Sequence, residues 1–308
     1  MLATLTERRF TDPAWLFERK LDGERCMAYR SGRDVRLMSR NRLDITDQYP
    51  ELEAALASQV TDDFVIDGEI VAFDRGRTSF SRLQRRMHVS RPGGELLRRF
   101  PVAFVVFDVP YLLGFDLTGL GLKERKALLR KAIGFGGALR FAAHRNREGE
   151  VYYVEACSRG WEGVIAKRAD SPYVSARSKD WLKFKCVLEQ ELVIGGWTDP
   201  QGARTVLGAL LVGYYEGGDL VYAGKVGTGF DVMRLNDLGA RLAALEQDRP
   251  PFTRGVLPRK GVHWAKPVLV GQVGFGEWPE GGHLRHPRFL GLRPDKAAPE
   301  VIRERPQI

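Results

Sequence analysis

The chain has 308 residues, with 48 lysines and arginines against 39 aspartates and glutamates, a net charge of +9, and 44% apolar side chains. Such a length leaves room for about two domains, and the apolar fraction excludes wholesale disorder. No window holds the roughly 20 uninterrupted apolar residues of a membrane-spanning helix, and residues 1–8 show no apolar core ahead of their charges, so neither a membrane protein nor a secretory signal is expected. Cys26, Cys157 and Cys186 make no zinc spacing and leave an odd thiol, which fits a reducing, cytoplasmic setting. The positive charge points to an anionic partner, nucleic acid first.

Residues 15–20 and 25–30 read as extended runs on either side of the turn Asp22-Gly23. A strand over 35–38 follows the Gly32-Arg33-Asp34 turn, and Asp47 is expected to cap a helix over 50–59 with Leu52, Ala55 and Leu56 on one face. Residues 64–73 form a β-branched and aromatic strand interrupted by Asp67-Gly68-Glu69, and the apolar run 102–109 predicts a buried central strand. Helices are expected over 123–132 and 150–158, and short strands over 163–167 and 181–186. The texture changes near 186–188. Strands split by glycines follow at 192–194, 208–215, 220–226 and 268–275, with one helix over 231–245. That mixture predicts a small closed sheet, a Greek-key barrel of the oligonucleotide-binding type.

The charge is unevenly spread. Through residue 188 there are 33 basic and 25 acidic residues, and afterwards 15 and 14. The richest stretch, 75–99, holds eight arginines and one acid, Glu95. Arg82, Arg85 and Arg86 would share one helix face and are expected to track DNA phosphates.

The chemistry-bearing residues are set in strands and turns. Lys20 ends a strand and precedes a tight turn, which holds it rigidly. A lysine is a nucleophile only when burial or neighbouring cations weaken its hold on the proton. Lys183 and Lys185 could supply that field, because alternation in Trp181-Leu182-Lys183-Phe184-Lys185 sends both lysines to one face and the apolar residues to the other. Two ammonium groups side by side call for an anion between them, phosphate above all. Glu69 and Glu162 are acids set against apolar strands, a costly placement unless they meet a metal, a hydroxyl or a cation. Oxygen ligands of this kind suit Mg²⁺. Phe107 ends the buried strand, where its ring could stack on a base.

In this order the motifs resemble the covalent nucleotidyltransferases: ATP-dependent DNA ligases, RNA ligases and mRNA capping enzymes. The matching segments are 20–25 (KLDGER), 39–42 (SRNR), 67–70 (DGEI), 107–112 (FDVPYL), 162–168 (EGVIAKR), 181–185 (WLKFK) and 285–296 (RHPRFLGLRPDK). They run from about residue 15 to 297, and their order is far more specific than any one of them. The subgroup most resembled is the bacterial ATP-dependent ligases of end-joining repair, the LigD and LigC type. The resemblance implies an α+β fold, with a nucleotidyltransferase domain of ATP-grasp-like antiparallel sheets and helices over 1–188 and an OB-fold barrel over 189–308. It also implies residue roles. Lys20 would attack the α-phosphate of ATP, Glu18 would meet the adenine amino group, and Phe107 would stack on the adenine. Arg25, Arg40 and Arg177 would hold phosphate or the nick terminus. Glu69 would hold ribose or a metal, Mg²⁺ or Mn²⁺, which Glu162 would help place. Lys183 and Lys185 would grip the α-phosphate. Arg293 and Lys296, on the second domain, would orient the departing pyrophosphate, with a hinge near 186–190.

Nicked duplex DNA is the expected partner, with end-joining repair proteins beside it, a monomer as the working unit and the bacterial nucleoid as the place. With only 19 residues before Lys20, no helical DNA-binding domain is expected in front of the core. An RNA ligase, a GTP-using capping enzyme and a non-catalytic DNA-binding scaffold are the rival readings. Gly224-Lys225-Val226-Gly227-Thr228 lacks the spacing of a phosphate loop. His283 and His286 lack the neighbours of a metal site, and Cys26 and Cys186 read as small buried residues.

Overall fold

The structure, a computed structural model, describes residues 1–186, 188–200, 206–276, 278–279 and 282–304. It consists of two compact units, Met1–Cys186 and Val187–Arg305. The first opens with strands β1 (Leu2–Leu5), β2 (Trp15–Lys20), β3 (Glu24–Ser31) and β4 (Asp34–Ser39), helix α1 (Pro50–Ala57), then β5 (Asp63–Asp74) and β6 (Arg77–Thr78). Two short helices, α2 (Phe80–Leu83) and α3 (Gly94–Arg99), lead into β7 (Val102–Leu112), β8 (Phe115–Asp116) and α4 (Leu122–Ala132). β9 (Leu139–Phe141), β10 (His144–Asn146), α5 (Gly149–Ser158), β11 (Gly163–Arg168) and β12 (Arg177–Lys185) complete it.

Two sheets result. One has the order β1-β12-β11-β2-β10; the other runs β4-β3-β5-β7-β8, with β6 on β5 and β9 on β7. The Asp22-Gly23 turn carries the chain from the first sheet to the second. Gly23 is required there because a Cβ would run into the Ile70 carbonyl. β7 is almost wholly apolar, with Asp108 its one charged residue, because both of its faces are covered. Phe104, Val106 and Val109 join the core built with α1 and α4, while Val105 and Phe107 pack with Leu16 and Trp181 of the other sheet.

Three expectations differ from what forms. Asp47 caps nothing: it lies in a 3-10 turn, and α1 starts from Tyr49 with Pro50 in its first turn, where the missing N–H costs nothing. Trp181 has the same parity as the two lysines and shares their face, while Phe184 points to the opposite core. The arginine helix stops at Leu83, so Arg82, Arg85 and Arg86 share no face. Arg85 is exposed. Arg86 is wholly buried, with two hydrogen bonds to the Glu51 carboxylate at 2.7 and 3.0 Å and further bonds to the Phe100 and Gln48 carbonyls. Arg86 is therefore a structural ion pair and not a DNA contact.

The cysteines differ as well. Cys157, in α5, and Cys186, just past β12, form a disulfide with Cα atoms 5.2 Å apart, and only Cys26 is left as a buried thiol. The odd count predicts one unpaired cysteine; it does not say which two meet. The crosslink closes 29 residues of separation, a loop whose constraint on the unfolded chain is worth about 3–4 kcal/mol. Cys157→Ser should therefore lower the denaturant midpoint of oxidised protein and leave that of fully reduced protein unchanged.

The second unit contains β13 (Glu189–Thr198), β14 (Leu210–Glu216), β15 (Asp219–Val226), α6 (Val232–Ala243), β16 (Glu246–Gln247), β17 (Val262–Gly274) and β18 (Arg288–Leu292). They pair antiparallel in the order β15-β14-β13-β17-β16, with β18 also on β17, around one apolar core. Asp231 caps α6 by accepting the Arg234 backbone N–H at 2.8 Å. On this sheet the His263 ring stacks on Trp197, with centroids 5.0 Å apart, and lies 2.8 Å from both Asp199 and Glu246. Hydrogen bonding to Asp199, then to Glu246, raises its pKa above the ordinary 6.5. Since the folded value exceeds the unfolded one, the stabilisation is complete below about pH 6.5 and is lost as pH rises through the folded value. An NMR titration should put the His263 midpoint above 6.5, and His263→Phe should remove that segment of the pH–stability profile. No helix among the described residues is long and apolar enough to cross a membrane.

Candidate active site

The register of the first sheet assembles the site. Lys20 lies opposite Gly163, which lies opposite Lys185; Glu18, Ile165 and Lys183 form the next row; Leu16, Lys167 and Trp181 the one after. Residues directly opposite one another, and those two apart along a strand, share a face. Lys20, Glu18, Lys167, Lys183 and Lys185 therefore line one surface. Gly163 permits the tight central row, because a Cβ there would meet the Phe184 carbonyl.

Lys20 is ion-paired and hydrogen-bonded to Glu162, with both side chains largely shielded from water. Glu18 is buried and accepts from Lys126 at 2.6 Å and from Lys167 at 2.7 Å. Burial opposes its charge, but Lys126 and then Lys167 outweigh it and hold the carboxyl below the usual range. Lys167 is pushed down to about 8 by burial, against the pull of Glu18. Its ammonium lies 4.1 Å from the Phe107 ring centre and 4.0 Å from that of Trp181. The Trp181 indole N–H is buried with no acceptor among the described residues, a donor that a bound ligand could satisfy.

The second sheet supplies the facing wall. Phe107 is buried, edge-on to Trp181 at 5.8 Å. Arg25 lies 4.7 Å over the Phe107 ring, but its guanidinium grips Asp67 through two bonds of 2.5 Å and also reaches the Met1 carbonyl. Tyr173 donates to the same Asp67 at 2.7 Å. Burial works against charge on Arg25, and Asp67 overrides it, keeping the guanidinium above its ordinary pKa. Here Arg25 serves an internal ion pair rather than an open phosphate cradle. Glu69 lies opposite Arg25 in the register, half-buried beside the Gly23 turn.

The remaining expected residues are placed as follows. Arg40 sits half-buried at the turn after β4. Arg177 is exposed at the start of β12 and donates to the Ala3 carbonyl at 2.7 Å. Arg82 donates to the Arg99 carbonyl at 3.0 Å. In the second unit, Arg293 forms a two-pronged pair with Asp295 at 2.9 and 2.7 Å, and Lys296 lies 3.3 Å from Glu191. The described residues contain no group of three or more His, Cys, Asp or Glu side chains that could hold a metal by themselves. Mg²⁺ needs only one or two carboxylates when waters and substrate phosphates complete its shell, so Glu69 and Glu162 fit such an ion by donor type.

Sequence reasoning missed Lys126, Lys167, Asp67 with Tyr173, and the buried pair Asp108–Arg125 at 2.8 Å. A signal existed for two of them. In α4 the stripe Leu122, Arg125, Lys126, Leu129 is buried throughout, and two cations occupy positions where apolar side chains belong.

A rigid lysine beside two further lysines, a buried carboxylate and an aromatic wall defines a class: a domain that handles a nucleotide phosphate through a lysine. Residues 1–185 match the model of the ATP dependent DNA ligase domain, and 203–296 that of the ATP dependent DNA ligase C terminal region. The chain belongs to the ATP-dependent DNA ligase family. It is 40% identical over 300 residues to the multifunctional non-homologous end joining protein LigD of Pseudomonas aeruginosa, covering 95% of this chain and 35% of that protein. It is 32% identical over 296 residues to a DNA ligase of Methanoculleus marisnigri, covering 92% and 52%. It thus spans little more than a third of its end-joining relative. A solved structure of mycobacterial DNA ligase D complexed with ATP and MES matches 98% of each chain at 36% identity, with a TM-score of 0.65. The α+β architecture is that of such ligases, a nucleotidyltransferase domain followed by an OB-fold domain.

Proposed function

We propose that this chain seals 5′-phosphate/3′-hydroxyl nicks in duplex DNA through a lysine–AMP intermediate, in the service of end joining. The observation that carries this reading is the shared face of Lys20, Lys183 and Lys185, with Glu162 on the Lys20 amine. Lys20, once deprotonated, attacks the α-phosphorus; an N–P bond forms and the bond to pyrophosphate breaks. Lys183 and Lys185 neutralise the charge that spreads over the α-phosphate, the main demand of phosphoryl transfer. Phe107 is the wall for the base and Glu18 the partner of its amino group. The AMP then passes to the 5′-phosphate of the nick, and the 3′-hydroxyl displaces it. A divalent ion held near Glu69 and Glu162 would supply charge neutralisation at the phosphates. Arg293 and Lys296 are assigned to pyrophosphate release, and Arg40 and Arg177 to the nick phosphate.

The test is a nicked duplex labelled at its 5′-phosphate, incubated with enzyme, Mg²⁺ or Mn²⁺, and either ATP or GTP. Sealing with ATP, and free AMP in equal amount, is the expected result. Label transfer from GTP alone, or faster sealing of nicked RNA, would favour a capping enzyme or an RNA ligase, and tight nick binding without AMP release a scaffold.

A further inference from the structure

Glu18 is held from two sides, and the two ammonium groups are not equivalent. The Lys167 ammonium lies against both the Phe107 and the Trp181 ring, on the same strand face as Lys20. Lys126 comes from α4, behind the pocket, and is 2% exposed. Its ammonium has three protons and three acceptors: Glu18 Oε1 at 2.6 Å, the Ala142 carbonyl at 2.9 Å and the Phe107 carbonyl at 3.4 Å. Its donors are used up, so nothing remains for a nucleotide. One atom thus ties the carboxylate to the backbone of the residue whose ring forms the base wall.

We propose that Lys126 is a positioning residue for base selection: it keeps the Glu18 carboxylate ionised and in one orientation, so that the pocket accepts a 6-amino purine and rejects a 6-keto one. This rests on the lysine–AMP reading above and deepens it. An ionised carboxylate only accepts hydrogen bonds. Opposite an exocyclic amine it gains one; opposite a keto oxygen it faces a second acceptor in a buried setting, and neither is satisfied. The discrimination lasts only while Glu18 stays deprotonated and does not turn. A carboxyl that picks up a proton becomes a donor and welcomes the keto group. Lys167 alone is a weaker guarantor, since burial has already loosened its hold on its own proton.

The experiment measures the second-order rate constant of self-nucleotidylation with ATP and with inosine triphosphate, whose base carries a 6-keto oxygen and an N1–H where adenine has a 6-amino group and an N1 acceptor. Lys126→Met, close in volume and without the ammonium, should lower the ATP:ITP ratio at least about tenfold, chiefly by letting ITP in. A merely structural role for Lys126 would slow both nucleotides alike and leave the ratio intact, which overturns the proposal. Glu18→Gln and the double variant Glu18→Gln/Lys126→Met complete the cycle. With a neutral amide at 18, removing Lys126 leaves no lone buried carboxylate, so this pair carries the test even where Lys126→Met alone fails to fold. The two should show the same ratio; a further drop in the double variant means Lys126 acts independently of Glu18 and overturns the proposal. If the unmodified enzyme forms no covalent adduct with either nucleotide, the lysine–AMP reading falls, and this inference with it.

Discussion

Lys20→Ala should yield no covalent AMP on the protein and should cut nick sealing from ATP at least about a thousandfold, because the bond to AMP is made at the Lys20 amine. The variant should still fold. Lys20 ends a strand and keeps some exposure. A nick carrying a preformed 5′-AMP bypasses the first two steps, so the variant should close that substrate at a rate much nearer to that of the unmodified enzyme. The checks are an alkali-stable, acid-labile label from α-labelled ATP, as a lysine phosphoramidate requires, and closure of the two nicks side by side. Label that persists on the variant, in the same amount, would remove Lys20 from the role.

Arg86→Ala should destabilise the first unit by about 3 kcal/mol, because it strips Glu51 of its ion pair and leaves two part-buried carbonyls short of a donor. Glu51 keeps some access to water, which holds the cost at the lower end for a broken buried pair. A urea melt reads this directly. Arg85→Ala, on an exposed side chain, should stay within about 0.5 kcal/mol. If Arg85 tracks DNA, it alone of the two should flatten the salt dependence of nick binding. Neutralising Arg82, Arg85 and Arg86 together would confuse unfolding with lost binding. Equal stability for Arg86→Ala and the parent would contradict the buried placement.

Much of the active site is legible in the chain before it folds. In Trp181–Lys185 and in Trp15–Lys20, strand alternation alone places Lys183 with Lys185 and Glu18 with Lys20, since successive side chains on a strand must point opposite ways. The near-continuous apolar run of β7 and the sharp Asp22-Gly23 turn are equally local. The same rule, applied strictly, also puts Trp181 on the lysine face; grouping it with the apolar residues followed its chemistry instead of its parity.

Other features could not be read in this way. Glu18 meets Lys126 across 108 residues of sequence, and Tyr173 meets Asp67 across 106. A stretch of eight arginines looks the same whether its members face water or carboxylates. Arg86 turned inward because α2 ends at Leu83 and the following turns carry it under α1, where Glu51 waits. The cysteine count predicts a leftover thiol, yet only the meeting of α5 with the end of β12 makes Cys157 and Cys186 the pair.

Local stereochemistry settles which side chains share a strand face, where the chain turns, and thus the row of lysines and the family it belongs to. The fold alone decides which cation answers which carboxylate. Arg25 is committed to Asp67, Glu18 to two lysines, and Arg86 to Glu51. A buried charge is tolerable only beside an opposite one, and that neighbour arrives from a distant segment whose approach no short pattern records.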